Sequence, residues 1–280
     1  MTDTKTLAQT LPQTLPRVEA LEATPRPIVA MASDFPAGHR IGRHVHHHGQ
    51  LLYPADGTIT VWTEDGVWVI PPQRALWVPG GIPHDTMATI DVALRTLLVE
   101  PERLPALPQS CCAVNITPLM RELILHAMSI PAVYDVTGAD GRFMGVILDQ
   151  LERLPLAPLH LPMPRDSRIR RISDVLLEHP DDTRTLDDWS VSCGASARTL
   201  SRLFVSETRL TFGAWRKQVR LLKALELLAA DTPVTQVALD LGYESPSAFI
   251  AMFRRSLGDS PARYFRREIT AGQNSAVTIA

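Results

Sequence analysis

Apolar residues recur along this chain in two different rhythms. Up to about residue 100 they come in short runs separated by turn formers: Gln50–Tyr53, Thr58–Trp62, Val67–Ile70, Ala75–Val78 and Ala93–Val99. Asp65-Gly66 between two runs is a hairpin signal. Pro71-Pro72 and Pro79-Gly80-Gly81 interrupt the next ones. Many short strands without helices predict a sandwich or small barrel. Beyond Pro101 the spacing lengthens to three and four. Thr117-Pro118 caps and opens a helix that places Leu119, Leu123, Ile124 and Ala127 on one face. A second helix is predicted from about 139 to 154, with Met144, Ile147, Leu148 and Leu151 on one stripe. Pro155, Pro158, Pro162 and Pro164 then crowd ten residues, the composition of a linker. From 166 to about 267 the pattern is helical throughout. The predicted organisation is multidomain α+β: a flexible tail over 1–25, a β-barrel over 26–102, a helical linker or dimerisation segment over 103–164, an all-α domain over 165–268 and a tail over 269–280.

Within the all-α domain a supersecondary unit occurs twice. In the first copy, Thr185 caps a helix with Asp188 three residues on, in capping-box fashion. Gly194 then suits a left-handed turn. Ser196 caps a second helix whose Leu200, Leu203 and Phe204 face inward. In the second copy, Thr232 caps and Pro233 opens a helix with Val237, Ala238 and Leu241 inside, Gly242 turns, and Ser245 caps and Pro246 opens a helix burying Phe249, Met252 and Phe253. Gly194 and Gly242 lie 48 residues apart, and Phe204 and Phe253 lie 49 apart. The two units form an internal repeat. A helical bundle whose glycines only end helices does not require such matched caps, turns and core phenylalanines. Arg198, Ser201 and Arg202 are left on the outer face of the first repeat, as a helix needs to push hydrogen-bonding groups into a major groove.

The run from Leu241 through Arg255, followed by Gly258-Asp-Ser-Pro-Ala-Arg-Tyr-Phe-Arg266, resembles the signature of the AraC/XylS family of transcription regulators. The resemblance spans about 168–267. It implies two helix-turn-helix subdomains joined by the long 212–228 helix, entering adjacent major grooves of double-stranded DNA roughly 34 Å apart. By position, Arg198, Ser201 and Arg202 would read bases from the first unit. Pro246, Ser247, Ile250 and Ala251 would occupy the reading positions of the second. Ile250 and Ala251 depart from the more polar family pattern, which points the second helix towards thymine methyls or a positioning role. The resemblance also implies homodimers, with 119–128 and 144–154 as the interface. The other reading makes those helices cover for the barrel within one subunit.

Charge sharpens this division. The chain carries 28 Lys and Arg against 30 Asp and Glu, a net −2. Residues from Arg165 onward hold 17 against 14, a net +3, and the remainder 11 against 16, a net −5. A basic C-terminal region favours phosphate contact there. Cys111, Cys112 and Cys193 form no CxxC pair or disulfide framework, which fits a reducing cytoplasm. Cys193 reads as a small packed residue at a turn. No apolar run is long enough to span a bilayer, and the first 25 residues lack the basic start and apolar stretch of a secretion signal.

The remaining chemistry is histidine. Gly38 to Gln50 carries His39, His44, His46, His47 and His48, and Pro79, Gly81 and His84 follow. This resembles the two motifs of cupin barrels, so the N-terminal domain is identified as cupin-like. His44 and His46 would share a strand face, with His84 arriving from a later strand. Three imidazoles suit zinc, iron, nickel or copper. The departure is Gln50, where metal-binding cupins carry a glutamate. The other reading makes His44, His46, Gln50 and His84 the hydrogen-bonding wall of a pocket for a small-molecule effector. His47 and His48 are expected at an exposed edge or rim, and Trp62, Trp68 and Trp77 in the core or walls. The expected function is an effector-responsive, sequence-specific regulator without catalysis. The alternative is a metal-dependent cupin oxygenase or isomerase with a helical appendage.

Overall fold

Alternation along strands and three-to-four spacing along helices become a sheet unit followed by a helical unit. The computed structural model describes residues 15–100, 107–157 and 159–265. The strands are β1 (Ile28–Phe35), β2 (Arg40–His44), β3 (Gly49–Asp56), β4 (Ile59–Trp62), β5 (Gly66–Ile70), β6 (Arg74–Val78), β7 (His84–Ala88), β8 (Val92–Val99), β9 (Cys112–Asn115), β10 (Leu156–Ala157) and β11 (His160–Pro162). Helix α1 (Leu15–Glu22) precedes them, and α2 (Pro118–Ala127) and α3 (Ala139–Leu151) fall between β9 and β10. Then come α4 (Ser167–Glu178), α5 (Leu186–Cys193), α6 (Ala197–Thr208), α7 (Phe212–Ala229), α8 (Val234–Asp240) and α9 (Pro246–Leu257).

The chain divides into two compact units, 1–64 with 70–159, and 65–69 with 160–280. In the first, an antiparallel sheet runs β1-β8-β3-β6-β9-β10, and β4, β7 and β2 are neighbours in a second sheet. The two are separate among the described residues, so hydrogen bonding does not close the expected barrel into one ring. Strand β3 is buried on both faces, and its successive side chains point to opposite ones. Leu51 and Tyr53 belong to a core with Trp77, Leu97, Val114 and the inward residues of α2 and α3. Gln50 and Leu52 face the opposite way, into a cavity between the sheets.

Several expectations change. Residues 15–22 are helical where a flexible tail was expected, and Val18 packs on Val29, Met31 and Leu98. The segment 103–164 supplies strands β9, β10 and β11 as well as two helices. Helix α3 ends at Leu151, not at 154, with Glu152 as its C-cap. On α2 the inward residues are Met120, Ile124 and Ala127, while Leu119 is 56% exposed. The inward faces of α2 and α3 are thus spent within one subunit. The division falls at 159/160 instead of 164/165, because β11 pairs with β5 and Trp215 Nε1 donates to Pro162 O at 2.8 Å. The expected tail over 269–280 lies outside the described residues, as do 1–14.

In the second unit α7 packs against α4 and α6 and also against α8. Phe204 of α6 lies 5.2 Å from Phe212 and 5.7 Å from Trp215, ring centroid to centroid. Phe249, Phe253 and Tyr264 form a second aromatic chain at 5.9 and 5.6 Å. Trp215 is fully buried, so its deletion leaves a large cavity and an unpaired Pro162 carbonyl. Trp215→Ala is expected to destabilise the helical unit by about 3–5 kcal/mol. Urea unfolding followed by circular dichroism checks this, and a loss below about 1 kcal/mol would contradict the packing described.

Candidate DNA-reading face and histidine pocket

Local sequence positions the reading helices. Thr185 and Asp188 form the capping box that starts α5: Thr185 N donates to Asp188 Oδ2 at 2.7 Å, and Asp188 N donates to Thr185 Oγ1 at 3.3 Å. Gly194 ends α5 at φ 61°, a left-handed conformation natural to glycine. Cys193 is buried at this turn, its Sγ 3.5 Å from Arg168 O. Ser196 then caps α6 through Thr199 N. In the second repeat Gly242 turns at φ 68°, and Ser245 caps α9 through Ala248 N, with Pro246 opening the helix. Helix α8 departs from expectation. Pro233 is its N-cap and makes no side-chain cap hydrogen bond, so Thr232 does not cap it.

These caps turn one face of each second helix outward. On α6 Leu200 and Phe204 are buried while Arg198, Ser201 and Arg202 are exposed, three and four residues apart on one stripe. Arg198 and Arg202 enter no salt bridge among the described residues. By contrast, Arg168, Arg170 and Arg184 are held by Asp166, Asp174 and Asp182. The Arg198 and Arg202 guanidinium groups are therefore available to a ligand. On α9 Ser247 and Ala251 are exposed and Pro246 and Ile250 partly so, with Phe249, Met252 and Phe253 inside. Sequence reasoning missed Val205, 45% exposed one turn beyond Ser201 and Arg202, and Arg254 and Arg255, both exposed in the last turn of α9. The spacing of Val205 from Arg198 and the pair of adjacent arginines were both visible in the sequence.

The histidines are gathered from three places. His44 ends β2 and is the register partner of His84 on β7, after a bulge between Ile41 and His44 that re-aims the strand end. His46 lies beyond β2, not on the same strand as expected, yet its ring is 4.7 Å from that of His44 and 5.4 Å from that of His84. The 46–48 backbone is clamped by the Pro79–Gly81 turn. Gly81 N donates to His46 O at 2.8 Å, and a Cβ on Gly80 would run into His47 O. His47 is exposed, but His48 is buried and not at a rim, its backbone N donating to Glu22 Oε1 of α1 at 2.8 Å. Trp68 and Trp77 are buried as expected, and Trp62 is partly so.

His44, His46 and His84 present ligand atoms within 4.8 Å of one another. Burial holds all three below the usual imidazole range, His46 at about 4 and His84 at about 3, and their mutual repulsion adds to the effect on the latter two. All three are therefore neutral near pH 7. Gln50 borders the same cavity, together with Met31, Leu52 and Leu94. No carboxylate stands where the cupin-like motif places one. A second cavity, about 200 Å³, opens beside Leu51, Trp77, Cys112, Val114 and Leu151. Burial pushes the Cys112 thiol there up to about 11, which leaves it protonated near neutral pH.

Comparison with known proteins bears on both units. Residues 189–267 match the family model described as a helix-turn-helix domain, and residues 28–123 match the one described as an AraC-like ligand binding domain. The HTH-type transcriptional regulator NimR of Escherichia coli (strain K12) is 37% identical over 233 residues, 83% of this chain and 85% of that one. The regulatory protein SoxS of Escherichia coli (strain K12) is 36% identical over 91 residues, 32% of this chain and 85% of its own. Among solved structures, the DNA-binding domain of AdpA in complex with a target DNA is 30% identical, covering 39% of this chain and 98% of that one at a TM-score of 0.36.

The Gly80 contact is testable through stability. Gly80→Ala is expected to cost about 1–3 kcal/mol, because the new methyl displaces the 46–48 backbone. Gly145→Ala, in the interior of α3 with open space around the added carbon, is expected to gain about 0.5–1 kcal/mol. Urea titration of both variants by tryptophan fluorescence checks the pair, and equal small effects would contradict the clamp.

Proposed function

This chain belongs to the AraC family of transcription regulators, with a helix-turn-helix DNA-binding domain and an N-terminal ligand-binding domain, and we propose that it reads a specific DNA site chiefly through α6 and adjusts that reading to a small effector. The supporting observation is the pair of outward-facing stripes on α6 and α9, with Arg198 and Arg202 outside any salt bridge among the described residues. An arginine fork can bond both acceptors of a guanine edge, and Ser201 can bond any base. Helix α9 presents Ser247, Ile250 and Ala251, which suit a thymine methyl and a phosphate more than a guanine or adenine edge. Arg254 and Arg255 add phosphate contacts that position without specifying.

The effector acts, on this reading, through the pocket between the sheets of the first unit, and biases the protein by binding one arrangement of the chain better than another. The protein works as a homodimer in the cytoplasm, without catalysis. Leu119 of α2 and Val146 of α3 stay exposed outside the subunit core and support the dimer reading. No helix among the described residues is long and apolar enough to cross a membrane. The enzymatic alternative draws on the histidine trio, but the acid that a cupin metalloenzyme brings is replaced by Gln50.

Genome-wide mapping of bound sites, followed by fluorescence anisotropy on a mapped site and a scrambled one, tests this. Arg202→Ala is expected to erode discrimination by about 1–3 kcal/mol, roughly ten-fold or more, and Ser247→Ala by clearly less. Equal losses for the two variants contradict the ranking. Affinity for both DNAs is expected to fall steeply as salt rises, since phosphate contacts release counterions.

A further inference from the structure

The space among the histidines is small. The cavity they border has a volume of about 20 Å³, room for about one water-sized occupant. An organic effector does not fit there as the rings stand; a single ion does. The hydrogen bonds around the rings say which kind. His44 Nδ1 lies 2.6 Å from Gly42 O, and His84 Nδ1 lies 3.0 Å from Ile82 O. A carbonyl only accepts, so each Nδ1 carries the proton and each Nε2 keeps its lone pair. Metal-binding histidines are oriented in this way, the far nitrogen tied to a backbone carbonyl and the near one presented.

Two of the presented atoms are without partners. His84 is 1% exposed and its Nε2 has no hydrogen-bond partner; Gln50 is 5% exposed and its Oε1 has none. An unpaired buried polar atom costs about 1–3 kcal/mol, and here both are acceptors at one cavity. A water's protons could meet two acceptors, but three imidazole ligand atoms within 4.8 Å of one another make a cation the better match.

We propose that His44, His46 and His84 bind one divalent late first-row transition-metal ion of the zinc, nickel, copper or iron(II) class, with Gln50 beside the position left open. Three imidazoles and no thiolate fit that class and exclude calcium or magnesium, which take oxygen ligands. Tetrahedral zinc with bonds of about 2.0–2.1 Å holds its donors about 3.4 Å apart, so the rings draw inward on loading. A metal here gives the pocket described above its ligand class. Any effect of that metal on DNA rests on the sensory reading; its occupancy of the site does not.

The full chain, freed of any histidine tag and stripped with a chelator, is titrated with Co(II) by visible absorption and then with Zn(II). The expected result is one Co(II) per chain, displaced by Zn(II), with a rise in Tm on loading. His46→Ala and His84→Ala are expected to lose the Co(II) bands, while His47→Ala keeps them. Because a ring deletion can unsettle the fold, Gln50→Glu provides a gain-of-function arm. An added carboxylate at the open position is expected to tighten Co(II) at least ten-fold. No uptake by the folded wild-type chain at micromolar metal overturns the proposal. Full uptake by a folded His84→Ala, or a Gln50→Glu variant no tighter than wild type, also overturns it. DNA affinity measured with and without Zn(II) is read separately. Unchanged affinity with stoichiometric metal would sink the sensory reading and leave the site standing.

Discussion

Everything the helical unit offers to DNA depends on how α7 is held. Eighteen residues make a helix about 27 Å long, and it packs on α4 and α6 as well as on α8. Trp215 fixes its N-terminal half through the Pro162 carbonyl and the Phe204 ring, which also packs on Phe212. Arg220 fixes its middle: Nε donates to Pro180 O at 2.8 Å, and the guanidinium lies 5.3 Å from the centre of the Tyr243 ring. Pro180 follows α4 and Tyr243 follows the turn of the second repeat, so one side chain ties the segment leading into the first repeat to the second repeat. Gly242 completes the tie, since a Cβ there would crowd Asp181. Such a spine sets the distance and angle between two short helices that could not fix either alone.

The sheet unit meets a different constraint, the two faces of one strand. In β3 the odd positions Leu51 and Tyr53 join the core under α2 and α3, and the even positions Gln50 and Leu52 border the histidine cavity. A one-residue slip would exchange these faces and place a glutamine amide in the apolar core. Pairing on both sides, to β6 and β8, opposes that slip. The outer face supplies stability and the inner face carries polar atoms that the fold itself leaves unpaired. Buried polar groups of this kind reduce stability unless something binds them, and the proposed ligand site on the inner face draws on that cost.

What the sequence disclosed follows from the range of the interactions. The helix-turn-helix repeats were legible because caps, left-handed glycines and inward aromatics act within a few residues: Thr185 on Asp188, Ser196 on Thr199, Ser245 on Ala248. The runs that became β3, β4, β5, β6 and β8 were legible from apolar content and turn residues. Strands β1, β2 and β7 were not, because polar positions dilute their alternation and distant partners define them. The burial of His48 depends on Glu22, 26 residues earlier on a helix that its composition disguised as a tail. Leu119 and Met120 both fit an apolar stripe, and only the sheet beneath decides that Met120 goes in. Thr232 looked like a cap by residue type, but Pro233 takes that position.

Helices α6 and α9, held by α7, are proposed to read one face of the double helix in two successive major grooves. Methylation-protection and hydroxyl-radical footprinting on a mapped binding site tests this most directly. The expected result, for each subunit, is two protected major-groove segments centred about one helical turn, 10–10.5 base pairs, apart on the same face. Protection of a single segment, or of two segments on opposite faces, would contradict it.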